Sequence, residues 1–255
     1  MLIWSKQAFN KKGVLQVTDD VLEEFAYAQL KDYKKDYFKN PHPLDVDDFI
    51  ENYLHIKTEY QKLSPNKTRY GTTAITDGLV PVVADDTGEF EWRFFKSGTI
   101  GVDLDACKND DHIINFTLCH EAGHSQFDLH VDKDLLDGNG NYLDDTVIMD
   151  GRIYKKRTDR GWMEYHASKY ASFILMPAKF VKKLYKIKHD EIMPGQRLGV
   201  RQKKLIWKMI YAIANELNVS ATAMAWRMLS LDIISKPLFD ALEMNNYKKE
   251  DTNMK

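Results

Sequence analysis

Five residues, His120-Glu121-Ala122-Gly123-His124, constrain this chain more than any other feature. They form an H-E-x-x-H pattern. On a helix, positions i and i+4 project from one face. Two imidazoles so placed can share one zinc ion, and the glutamate beside the first can reach a water at that ion. The pattern therefore demands a firmly held helix and a third ligand from elsewhere in the chain. The chemistry it suits is hydrolysis of a peptide bond.

The flanking residues meet the first demand. Asp110 or Asp111 can cap the helix, and Ile113, Ile114, Phe116 and Leu118 supply apolar anchors. A catalytic zinc takes three protein ligands and leaves one position for water. Two residues compete for the third place. His130 follows His124 at the spacing of H-E-x-x-H-x-x-G-x-x-H, but Phe127 stands where that pattern has glycine. Glycine there allows a sharp turn that phenylalanine resists. Glu164 is the stronger candidate. Ala167, Ala171 and Ile174 recur after it at helical spacing, and small alanines let a second helix approach the first closely. The plainer alternative for Glu164 is a solvated carboxylate near a helix start, favoured by the helix dipole.

Composition sets the frame. The 255 residues, 44% hydrophobic and 12% aromatic, can bury a sizeable core. A net charge of −2 gives no global attraction to nucleic acid. No apolar run approaches membrane-spanning length, and Met1 to Lys6 has no signal-peptide character. Cys107 and Cys119 lack zinc-finger spacing, so a reducing cytoplasm is expected, with Cys119 as a small core residue.

The pattern along the chain predicts an α+β fold. Thr18 can cap a helix bearing Leu22, Phe25, Ala26 and Leu30, and Asp45 a second bearing Phe49, Ile50, Tyr53 and Leu54. Residues 56–60, 69–75, 79–83 and 99–104 read as short strands, with Asp77-Gly78 as a hairpin turn. In 99–104 the apolar Ile100, Val102 and Leu104 alternate with Thr99, Gly101 and Asp103. That segment is either a free edge that takes up substrate by strand addition or an ordinary paired strand.

Residues 131–161 read as an insertion between the two ligand-bearing helices, placed to flank a cleft. Within it, Asp137 to Asn141 superficially fits a calcium loop. Tyr142 and Ile148 occupy positions that such a loop gives to glycine and glutamate, so a tight turn between short strands is expected instead. The expected organisation is a metal domain over 1–190, a helical segment over 191–240 and a polar, frayed tail over 241–255. In the helical segment, 205–217 and 221–231 form a helix-turn-helix shape with Ser220 as N-cap. The second helix carries mostly apolar residues, among them Ala223, Met224, Trp226 and Met228. That favours packing or protein docking over base readout. The basic run from Lys182 to Lys208 reads as a solvated face.

Taken together, Phe116-Thr117-Leu118-x-His120-Glu121-x-Gly123-His124 and Glu164-x-x-Ala167-x-x-x-Ala171-x-x-Ile174-Leu175-Met176-Pro177 resemble the ImmA/IrrE family of zinc metallopeptidases. The resemblance extends to Pro43 to Ile50, to Tyr70 to Thr73, to Gly78 to Val80 and to Ala214 to Leu229, about residues 43–235 in all. It departs at His166 and Ser168, where the family often has glutamate and asparagine. The resemblance implies a zincin-like fold, with a small, mostly antiparallel sheet packed on the metal helix. It implies Zn2+ held by His120, His124 and Glu164, with Glu121 as general base. His166 or Tyr165 would then be either an oxyanion donor or a packing residue. The implied substrate is a protein, a helix-turn-helix repressor of the kind found on mobile elements. The rival expectation is a non-catalytic, zinc-containing regulator that binds a protein or DNA through its C-terminal helices.

Overall fold

The computed structural model describes residues 5–85, 87–136 and 158–242. The chain divides into two compact units. One comprises Met1–Tyr37 with Leu44–Leu175, and the other Phe38–Pro43 with Met176–Lys255. The turn expected at 137–141, most of the 131–161 insertion and the tail after Leu242 lie outside the described residues.

The first unit is mixed α+β. Helix α1 (Asp19–Tyr33) starts where Thr18 accepts the amide of Val21, and it buries Leu22, Phe25, Ala26 and Leu30 as its periodicity requires. Asp45 caps the next turn by accepting the amide of Asp48, but Asp48–Tyr53 winds as a π-helix. Five short strands follow: β1 (Thr58–Tyr60), β2 (Gly71–Thr73), β3 (Gly78–Val83), β4 (Phe90–Phe95) and β5 (Ile100–Val102). They form two sheets. One has the order β1-β5-β2, with β1 parallel and β2 antiparallel to β5. The other is the antiparallel pair β3-β4.

One of two alternatives and one expectation fail here. Segment 99–104 is no free edge, because β5 lies in the middle of its sheet and is bonded on both sides. Alternation says which face a residue takes but not how many neighbours its strand has. Asp77-Gly78 does not join two paired strands either. Gly78 opens β3, whose partner is β4, and β2 pairs elsewhere.

Strand β4 has an uneven setting. Its Phe95, with Val80 and Val82 of β3, packs on Leu63 and Ala74 in a buried cluster. Phe90, Trp92 and Phe94 take the other face and stay more than half exposed.

Helix α2 (Asp111–Phe127) carries the metal motif, and α3 (Asp159–Leu175) packs along it. Asp110 is the N-cap, accepting the amides of His112 and Ile113. Ile113, Ile114 and Phe116 are only half-buried, and the helix becomes fully enclosed from Thr117 to Ser125. Phe127 ends it in a ring cluster, edge-on to Phe25 and to Tyr170 with centroids 5.9 and 5.3 Å apart. The helix thus continues through the position where a glycine turn was needed to bring His130 back.

In the second unit, α4 (Ala178–Ile192) receives the rings of Phe38 and His42 on Phe180. Helices α5 (Lys203–Glu216) and α6 (Ala221–Ser230) make the expected helix-turn-helix shape, with Ser220 accepting the amide of Ala223. Asn218 takes the left-handed conformation that the turn requires, with φ 52°. A short α7 (Lys236–Ala241) follows. Arg227, the only basic residue of α6, is buried and donates from Nε to the Met176 carbonyl at 2.9 Å. No helix among the described residues is long and apolar enough to cross a membrane.

Candidate metal centre

The two histidines of α2 and Glu164 of α3 converge. His120 Nε2 lies 3.1 Å from His124 Nε2 and 3.3 Å from Glu164 Oε2, and His124 Nε2 lies 3.5 Å from Glu164 Oε1. Both histidines are buried and Glu164 is 14% exposed, so it is not the solvated helix-start carboxylate of the plainer reading. Two donors bound tetrahedrally at about 2.0–2.1 Å stand roughly 3.3–3.4 Å apart. The three spacings bracket that value. Two imidazole nitrogens and one carboxylate also suit a borderline transition ion better than calcium or magnesium, which prefer all-oxygen sets. The residues present therefore fit a metal ion. His130 is not part of this group; it sits on the rim of a separate cavity.

The close approach of the helices has an identifiable cause. A Cβ built on Gly123 would come within 2.9 Å of the Ala167 Cα. Only glycine leaves room for the α3 backbone at that point. Ala167, Ala171 and Ile174 are wholly buried along the same seam. One turn before the contact, α3 delivers Glu164 to the histidines.

Each imidazole is oriented by its other nitrogen. His124 Nδ1 lies 2.7 Å from Asp128 Oδ2, and His120 Nδ1 lies 3.2 Å from Ser168 Oγ. A proton on Nδ1, donated to these oxygens, leaves the Nε2 lone pairs facing the shared centre. Without a metal, burial alone would depress the His124 pKa. Glu164, Asp128 and Glu121 outweigh that effect and raise it to about 10. Burial also raises the Asp128 carboxyl, against the pull of His124.

Glu121 is held by the sheet. Its Oε2 accepts from the Thr73 hydroxyl at 2.6 Å, and the same hydroxyl lies 3.0 Å from its carbonyl oxygen. A Cβ on Gly71 would come within 2.7 Å of Glu121 Oε1 and 2.8 Å of its Cγ. Strand β2 thus holds the carboxylate with one residue and makes room for it with another.

A scan of protein-family models and searches of curated proteins and of solved structures each found no match to this chain.

Tyr165 and His166, weighed as oxyanion donors, are engaged with the segment leading into α1. The Tyr165 hydroxyl bonds to Asp19, while His166 Nε2 lies 3.3 Å from the Val17 carbonyl and its ring stacks on Trp162. The supporting roles of three residues escaped the sequence reading. Asp128 could have been found, since it stands four residues after His124 on the same face. Ser168 stands four after Glu164 and could have been found in the same way. Thr73 lies 48 positions from Glu121, and no local pattern links them.

Proposed function

We propose that this chain is a zinc-dependent endopeptidase acting on a protein substrate, a helix-turn-helix regulator by the family resemblance. The observation that carries the reading is the triangle of His120, His124 and Glu164 beside a glutamate held separately from it. A purely structural metal site has no use for such a base.

When bound, zinc supplies Lewis-acid polarisation of a carbonyl and lowers the pKa of water near neutrality. The protein residues supply the remainder. His120, His124 and Glu164 would hold the ion, with Asp128 and Ser168 fixing the ring orientations. Glu121 accepts a proton as water adds to the scissile carbonyl carbon, then delivers it to the amine nitrogen as the C–N bond breaks. Thr73 fixes the direction of the Glu121 carboxylate and leaves Oε1 for the proton. The two cysteines are free and buried, in keeping with a cytoplasmic setting. The buried Arg227 on α6 favours packing or protein docking by the C-terminal helices over reading DNA bases.

The test is Glu121→Gln, which preserves side-chain size and all three ligands. The variant should fold, hold zinc and bind the same target, while cleavage falls by about a hundredfold to ten-thousandfold. The target is sought by co-expressing candidate repressors and mapping their fragments by mass. Equal depletion of the target by variant and wild type would make the protein a metal-stabilised sequestering regulator instead.

A further inference from the structure

Beyond the metal centre, the first unit contains a cavity of about 580 Å³. Its floor is apolar: Phe25, Ile56, Phe127 and Leu129. Its rim carries His55, Lys57, Lys96 and His130, all exposed. No aspartate or glutamate is among the lining residues. The size falls within the range of small-molecule sites, which pair an apolar body with a few placed polar groups.

The basic rim is held in place by the backbone. The amide of Ile100 donates to the Lys57 carbonyl at 2.9 Å, and the amide of Thr99 to the Lys96 carbonyl at 3.0 Å. Both lysines therefore flank the entry to β5. Lys57 shares its ammonium with Glu59 at 2.5 Å, whereas Lys96 has no ion pair among the described residues. Gly98, with φ 83°, lies in the turn from Lys96 into β5, and its carbonyl accepts the Ser125 hydroxyl at 3.2 Å. Ser125, Gln126 and Phe127 form one wall, so the last turn of the metal helix is part of the cavity.

We infer that this cavity binds a small amphiphilic anion, with an apolar body on the phenylalanine floor and a carboxylate or phosphate head at Lys96. Nothing in this assignment depends on the peptidase reading. An apolar floor alone would accept neutral molecules equally well. The Lys96 ammonium, with no carboxylate among the lining residues, is what selects an anion, because a charge-assisted contact is about twice as strong as a neutral one.

The probes are octanoate, octyl phosphate and octanol, titrated into the full chain and followed by methyl NMR. The two anions should saturate at millimolar concentration or below and shift Leu54, Ile56 and Leu129. Octanol should bind at least about tenfold more weakly. The order of octanoate and octyl phosphate identifies the head group. Lys96→Glu changes an exposed side chain and leaves its structural carbonyl in place. It should weaken the anions by about tenfold or more and leave octanol unchanged. Four results overturn the assignment: no saturation, equal binding of octanol, anion binding unaffected by Lys96→Glu, or shifts centred on Leu79, the cross-strand partner of Phe94, or on Ala167 beside the metal centre.

Discussion

Asp128 Oδ2 sits 2.7 Å from His124 Nδ1, one helical turn along from the histidine and just past the end of α2. The carboxylate is buried, and its bond fixes which nitrogen His124 can offer to a metal. Asp128→Asn should therefore weaken zinc binding by about tenfold to a hundredfold. Ser168→Ala removes a neutral, longer partner of His120 and should cost less. Competition with a chelator of known affinity measures both. Equal losses would mean that charge at Asp128 contributes nothing beyond a hydrogen bond.

The third ligand separates two families of zinc site. Purified protein should contain about one zinc per chain. Glu164→Gln should lower its affinity sharply, and His130→Ala, a change on the rim of another cavity, should leave it nearly unchanged. Metal analysis with the opposite ranking would require His130 to reach the histidines, against the observed course of α2.

Gly123→Ala tests the helix seam. Alanine raises helix propensity by about 1 kcal/mol, yet its Cβ would meet the Ala167 backbone, which cannot rotate aside. Overpacking typically costs about 1–3 kcal/mol, so a net loss in chemical denaturation is expected. Zinc affinity should fall as well, since spreading the helices withdraws Glu164. A variant as stable and as tight-binding as wild type would show that the seam has slack.

The pH dependence should change sign with the metal. The folded pKa of His124, about 10, lies above its ordinary value of about 6.5. A raised pKa stabilises the fold fully below the unfolded value, and that stabilisation is lost as pH climbs through the window from about 6.5 to 10. Metal-free protein should thus melt at progressively lower temperature across that range. Zinc must displace this proton, so its affinity should rise over the same range. Parallel trends with and without zinc would contradict this.

What the sequence revealed followed the range of each signal. Caps and helical spacing act over a few residues, so Thr18, Asp110 and Ser220 marked their helix starts well. The alanines after Glu164 disclosed a close helix contact because small residues on one face have few other uses. Strand pairing is non-local, and there the reading failed. Phe90, Trp92 and Phe94 alternate with Glu91 and Arg93 as a strand should, yet β4 went unread because its apolar side faces outward. Asp77-Gly78 looked like a hairpin because a dipeptide fixes a local turn and not the partner of the strand that follows. The Thr73 contact with Glu121 exists only once the sheet meets α2.

The space at Gly71 has a consequence for how function would be mapped by mutation. The nearest atoms a methyl group there would meet belong to the side chains of Glu121 and Thr117, not to backbone. Gly71→Ala should fold and still take up zinc while displacing the Glu121 carboxylate. A saturation screen scored on cleavage would rank position 71 with the chemistry, whereas one scored on abundance would rank it among tolerant sites. The gap between the two scores would mark a residue whose contribution is an absence of atoms.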